Sequence, residues 1–295
     1  MMHVRSGIYL NYSQEELDRA YDQRVWAQNA EEAIARFAQS SSEVRIGRRC
    51  MDFRYGDAAD ETLYVFPTAA PKAPMHIHLH GGAWRSLSKD DACFPAPSFV
   101  DAGIHFVVPN FTNLPENRLP GMVEQVRRAI GWVHTYAAQF DGDPDSIYLS
   151  GHSSGAHLAA VMLTTEWSAH KLPPDLIKGG LCVSGMYDLE PVLLSARREY
   201  LKLNAEECDA LSPLKHIDRI RCPVSVAVGS RESPEFIRQA RDFASALVSS
   251  GRHAGLIVEP DLDHFEIAQE LACRESVITR AALAQVRRPI PVLAD

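Results

Sequence analysis

The chain has 295 residues, 46% of them apolar, and a formal net charge of −8 at pH 7 with a sequence pI near 5.8. This composition supports a sizeable core and argues against a nucleic-acid or anionic-membrane partner, since neither attracts an acidic surface. The opening MMHVRSGIYLNYSQEEL lacks the apolar centre of a secretion signal, and no run approaches the roughly 18 apolar residues of a membrane span. The six cysteines are scattered without a CxxC pair, which leads to the expectation of reduced thiols in a cytoplasmic protein.

Ser13 and Glu16 stand at capping-box spacing before a polar helical stretch over 13–38, expected as an N-terminal extension (residues 1–40) packed on the main body. Strands are expected over 45–55 and 62–67, joined by the polar turn GDAADE. Two short apolar runs, 75–80 and 104–109, flank a helix near 92–102. Apolar residues recur at helical spacing over 119–140. A buried strand at 146–151 leads into a helix of small residues from Ser154 to about Glu166. Strands over 178–185, 223–229 and 253–260 follow, with a helix over 233–250 between the last two. Such alternation implies one α/β domain over 1–295, its mostly parallel central sheet covered by helices on both faces. Residues 186–215 read as a candidate cap insertion.

Gly151-His152-Ser153-Ser154-Gly155 fits GxSxG. The motif is short, so its context decides. An apolar strand precedes it and an Ala-rich helix follows, as a nucleophile elbow requires. On such a strained turn a side chain at either glycine would collide with the other. A serine needs a base. In this topology the base comes late, and PDLDHFEI places His264 after the final strand. The acid that orients it should follow PVSVAVG, where Glu232 stands, with Glu235 as the runner-up inside the next helix. Asp261 and Asp263 lie too close to His264 in sequence to reach it from the neighbouring strand.

MHIHLHGGAW, residues 75–84, puts His76, His78 and His80 on one face of a strand. Successive members would be about 6.6 Å apart, too far for three ligands at 2.0–2.1 Å from one ion. No metal is therefore assigned. The stretch His80-Gly81-Gly82-Ala83-Trp84 reads instead as an HGGG-type loop lending amides to an oxyanion. Gly82 and Ala83 are the assigned loop donors, with Ser154 as the third, and the pair within 81–83 stays open. His80 is expected to brace this loop. Asp141-Gly142-Asp143-Pro144-Asp145 lacks the later ligands of a calcium loop. Neither GxGxxG nor GxxxxGK[ST] occurs, so no cofactor is indicated.

With these pieces placed, the chain resembles the α/β-hydrolase superfamily and, within it, the serine-dependent kynurenine formamidase (arylformamidase) group. The resemblance rests on HGGAW, GHSSGAHLAA, SGMYDLEPV, YLKLNAEECDALSPL, ESPEFIRQ, DHFEI and YSQEELDRAYDQRVWAQN, and runs from about residue 12 to 275. It implies hydrolysis of N-formyl-L-kynurenine to L-kynurenine and formate, with Ser153 attacking the formyl carbon. It also implies a small aromatic substrate, a pocket walled by Trp84 and Tyr187 unless these belong to the packed loop, and a homodimer. Two departures stand out: the acid is Glu where many relatives carry Asp, and Ser154 stands where the elbow often has Ala. A carboxylesterase of the hormone-sensitive-lipase type shares the same motifs and is the alternative. Whether residues 1–40 form a lid is left open.

Overall fold

The structure, a computed structural model, describes residues 7–287; the first six residues of the expected extension and the last eight of the chain lie outside them. The described residues form a sheet of eight strands: β1 (Met51–Arg54), β2 (Thr62–Phe66), β3 (Ala73–Leu79), β4 (His105–Pro109), β5 (Gly142–His152), β6 (Ile177–Val183), β7 (Val224–Gly229) and β8 (Ala254–Glu259). Their spatial order is β1-β2-β4-β3-β5-β6-β7-β8. β1, β2 and β4 pair antiparallel, and every pairing from β4 onward through β8 is parallel. Parallel strands need crossover connections, and helices supply them.

The helices are α1 (Gln14–Tyr21), α2 (Ala30–Gly47), α3 (Ala96–Val100), α4 (Leu119–Tyr136), α5 (Ser154–Leu163), α6 (Glu190–Leu194), α7 (Arg198–Leu201), α8 (Ala205–Ala210), α9 (Pro234–Ser249), α10 (Glu266–Gln269) and α11 (Val277–Arg287). Two apolar clusters form the core. One gathers residues of α1, α4, α5 and α9; the other gathers Phe37 of α2, Phe99 of α3 and Ile278 of α11. None of these helices is long and apolar enough to cross a membrane.

Three expectations change at their edges. The single helix over 13–38 is two. The capping box at Ser13 and Glu16 forms as expected, but the chain turns extended at Asp22 (φ −97°, ψ 94°), whose carboxylate accepts the Arg24 amide. The strand expected from residue 45 begins only at Met51, because α2 runs on to Gly47. Two contacts hold that helix: Phe37 stacks on Phe94 at 5.2 Å, and Ser41 Oγ accepts the amides of Cys93 and Phe94. Ile46, inside the range expected as strand, is 85% exposed on the last turn of α2. The helix near 92–102 shrinks to 96–100 in a stretch punctuated by Pro95 and Pro97.

β3 shows how the sheet sorts its side chains. Met75, Ile77 and Leu79 enter one cluster, while His76 and His78 face Phe99 and Phe106 of the other. His76 Nε2 and His78 Nδ1 both meet Ser150 Oγ, at 2.7 and 2.8 Å. The histidine face is therefore held by a shared hydroxyl on the adjacent strand. Burial depresses these imidazoles: His76 and His78 fall to about 3, His80 and His157 to about 4, and His152 well below its usual value.

These five histidines are neutral when folded and free to protonate when unfolded. Their contribution to stability is complete above pH about 6.5 and is lost as pH falls from there towards the depressed folded values. The expected result is a urea midpoint that drops steadily between pH 7 and pH 5. A midpoint unchanged over that interval would contradict the buried neutral state.

Candidate active site

β5 ends at His152 and α5 begins at Ser154, so Ser153 alone makes the turn, at φ 57° and ψ −123°. That left-handed conformation is costly for a side-chain-bearing residue and persists because its surroundings fix it. The Ser153 amide donates to Val183 O at 2.9 Å, and Ser153 O accepts from Ala156 and His157. The two glycines are required on contact grounds. A Cβ on Gly151 would lie 2.1 Å from Gly155 O, and one on Gly155 would lie 2.1 Å from Leu79 O. Both obstacles are backbone. Gly155→Ala is therefore expected to cost about 3 kcal/mol or more, read as a lower denaturation midpoint and loss of soluble protein. A variant of wild-type stability would show that the elbow is looser than described.

The turn after β7 carries Glu232, and the turn after β8 carries His264, both buried. Ser153 Oγ donates to His264 Nε2 at 2.9 Å, and His264 Nδ1 donates to Glu232 Oε2 at 2.7 Å. The second carboxylate oxygen, Oε1, accepts from the Gly229 amide at 2.8 Å and from the Ser184 hydroxyl. Both oxygens are thus held, and the carboxylate is aimed. The runner-up, Glu235, is elsewhere: it receives Tyr21 Oη and a bidentate Arg238. Asp263 caps α10 by accepting the amides of Phe265 and Glu266. His152, beside the serine, donates from Nε2 to His264 O at 2.7 Å and so fixes the main chain that bears the imidazole.

The loop after β3 leans on the serine. A Cβ on Gly81 would stand 2.9 Å from His152 O and 3.3 Å from Ser153 Cβ. Gly82, Ala83 and Trp84 all take positive φ (103°, 53° and 61°), a tight turn closed by the Arg85 and Ser86 amides on Gly82 O. Among the described residues the amides of Gly82, Ala83 and Ser154 have no hydrogen-bond partner. Ser154 is the first residue of α5, where an N–H has no intrahelical acceptor. The Ser154 hydroxyl, one of the two departures, accepts the Trp84 amide at 3.2 Å and so ties elbow to loop. His80 braces the loop by donating to Gly81 O and stacking on Phe111 at 4.1 Å.

Trp84 and Tyr187 do not wall a pocket, and this corrects the expectation. Trp84 is 1% exposed; its Nε1 donates to His157 Nδ1, and the ring packs edge-on against that imidazole. Tyr187 is fully buried, stacked on Phe243 at 4.1 Å. Their indole and phenol groups find partners inside the core, which is where a large ring with one satisfied polar atom is best placed.

The cleft beside Gly82 and Ala83 has a volume of about 560 Å³ and is built from other parts of the chain. Its lining includes Asp18, Tyr21 and Asp22 from α1 and its end, Arg85 after the loop, and Arg197 and Tyr200 around α7. Sequence reasoning missed these residues, along with Ser184 and His152. No motif marks them, because they meet only through long-range contacts. Arg197, for example, donates to Tyr21 O, 176 residues away. The N-terminal extension is thus part of the cleft wall, pinned where Tyr21 meets Glu235 and Gln23 meets Ser233.

This geometry can be set beside known proteins. Kynurenine formamidase of Danio rerio is 32% identical over 288 residues, covering 93% of this chain and 97% of its own length. The chain belongs to the kynurenine formamidase family. Within that family's fold, the BD-FAE family model matches residues 62–177. Esterase LipQ of Mycobacterium tuberculosis is 28% identical over 255 residues, covering 78% of this chain and 60% of its own length. Among solved structures, a candidate thioesterase from Silicibacter sp. tm1040 superposes with a TM-score of 0.80 at 27% identity, covering 91% of this chain and 99% of its own. The sheet order and these likenesses make this formamidase-family chain a hydrolase of the α/β-hydrolase fold.

Proposed function

We propose that the protein hydrolyses the N-formyl amide of an aromatic amine, with N-formyl-L-kynurenine as substrate and L-kynurenine and formate as products. The observation that carries this reading is the Ser153–His264–Glu232 hydrogen-bond chain, in a chain similar over nearly its full length to a kynurenine formamidase. Ser153 Oγ attacks the formyl carbon while His264 Nε2 takes its proton. The imidazolium is stabilised by Glu232. The oxyanion receives the Ser154 amide and those of Gly82 and Ala83, donors that are already oriented before the charge develops. His264 then protonates the aniline nitrogen, and the amine leaves. Water, activated by the same imidazole, attacks the formyl ester; formate departs and the serine recovers its proton.

The reading assigns the reaction to tryptophan catabolism in the cytoplasm. The six cysteines, all unpaired, support a reducing compartment. A second reading, an aryl esterase, is favoured by the likeness to LipQ and by the fact that the same triad cleaves esters. The ratio of kcat/KM for N-formyl-L-kynurenine to that for p-nitrophenyl acetate separates the two. A ratio above one is expected, although the ester is intrinsically the easier bond. A ratio far below one would move the protein to the esterases.

A further inference from the structure

The cleft beside Gly82 and Ala83 carries charges of both signs: Arg24, Arg85 and Arg197 with Asp18, Asp22 and Glu199. A neutral aryl ester has no use for such a lining, whereas a ligand bearing both an anionic and a cationic group does. The three arginines differ in what they are already doing. Arg197 is committed inward: its Nε and Nη2 donate to Tyr21 O at 3.1 and 2.5 Å, and its guanidinium lies 5.9 Å from the Trp84 ring. Arg24 has no ring or carboxylate holding its guanidinium among the described residues. Arg85 is oriented and free. Its guanidinium lies over the Tyr200 ring at 4.7 Å, and among the described residues it has neither a carboxylate nor a hydrogen-bond acceptor.

Arg85 is also tied to the reaction centre. Its amide donates to Gly82 O at 2.9 Å, so its main chain moves with the loop that leans on Ser153. A guanidinium stacked on one face keeps its edge available, and that edge is the fork that matches a carboxylate in two parallel hydrogen bonds.

The geometry points to Arg85, held over Tyr200, as the residue that binds the carboxylate of an α-amino-acid arm on the leaving aromatic amine, selecting such formamides over simple formanilides and aryl esters. The acidic residues of the same cleft supply the sign that the arm's ammonium requires. This assignment rests on the formamidase reading and deepens it.

The test compares N-formyl-L-kynurenine with 2′-formamidoacetophenone, which keeps the ring, the formamide and the ortho carbonyl but has no amino-acid arm. Wild type, Arg85→Gln and Arg85→Lys are assayed on both. In Arg85→Gln the ratio of kcat/KM between the two substrates is expected to fall about tenfold or more towards the armless substrate, chiefly through KM for formylkynurenine. Arg85→Lys, which keeps the charge and loses the fork, should fall between. Equal losses on both substrates would overturn the assignment, because they would report a disturbed loop. An unchanged ratio would overturn it as well. If wild type cleaves p-nitrophenyl acetate but neither formamide, the formamidase reading itself fails and the assignment falls with it, a result distinct from the other two.

Discussion

Replacing Ser153 with Ala is expected to lower kcat for formamide hydrolysis by at least about 10⁴-fold while leaving the protein folded. The size follows from the role. In the proposed mechanism Ser153 Oγ is the atom that bonds to the formyl carbon, and the hydrogen bond to His264 Nε2 at 2.9 Å has no function without it. The fold should tolerate the change. The turn is held by main-chain bonds, from the Ser153 amide to Val183 O and from the Ala156 and His157 amides to Ser153 O, all of which alanine keeps. Alanine must still occupy φ 57°, as serine already does, so the strain is nearly the same before and after. Residual turnover from the amide donors and from binding alone should persist above the uncatalysed rate. Steady-state kinetics with a circular-dichroism melt checks both halves. Activity that survived in a folded Ser153→Ala variant would remove the serine mechanism.

Glu232→Gln should cost about 10³- to 10⁴-fold in kcat with little change in stability, and the reason lies in the second carboxylate oxygen. Oε1 accepts from the Gly229 amide and the Ser184 hydroxyl. An amide introduced at 232 keeps its oxygen on that side, because the Gly229 amide can only donate. Its NH₂ is then turned towards His264 Nδ1. The imidazole must present an unprotonated Nδ1 and so carry its proton on Nε2, where it cannot accept the serine proton. The variant fails by holding the wrong tautomer rather than by losing a contact. The pH dependence of the residual rate distinguishes this from simple misplacement. A loss of less than about tenfold would mean that Glu232 does not orient the base.

The elbow was legible because close packing leaves few options: only glycine at 151 and 155 clears Gly155 O and Leu79 O, and a strand and helix must flank them. Glu232 and His264 were legible for a topological reason, since the turns after the last two parallel strands converge at the same sheet end. What was missed is tertiary. Ser184 reads as the end of the strand expected over 178–185, and nothing local reveals that its hydroxyl reaches a carboxylate 48 residues later. The cleft wall joins α1 to α7 across nearly 180 residues, through Asp18 on the Ala196 amide and Arg197 on Tyr21 O. Trp84 and Tyr187 misled in the opposite direction. Aromatic residues beside a catalytic motif suggest a substrate wall, but His157, Phe243 and the core claim both rings. The start of β1 was misplaced because α2 runs on to Gly47, which leaves Ile46 as an exposed position on its last turn.

The measurement that bears most directly on the central claim is the steady-state kcat/KM of the wild-type protein for N-formyl-L-kynurenine, followed as kynurenine appearing with one equivalent of formate. The account predicts a value of about 10⁴ M⁻¹s⁻¹ or higher. Turnover barely above the uncatalysed rate, by protein that cleaves p-nitrophenyl acetate normally, would contradict it.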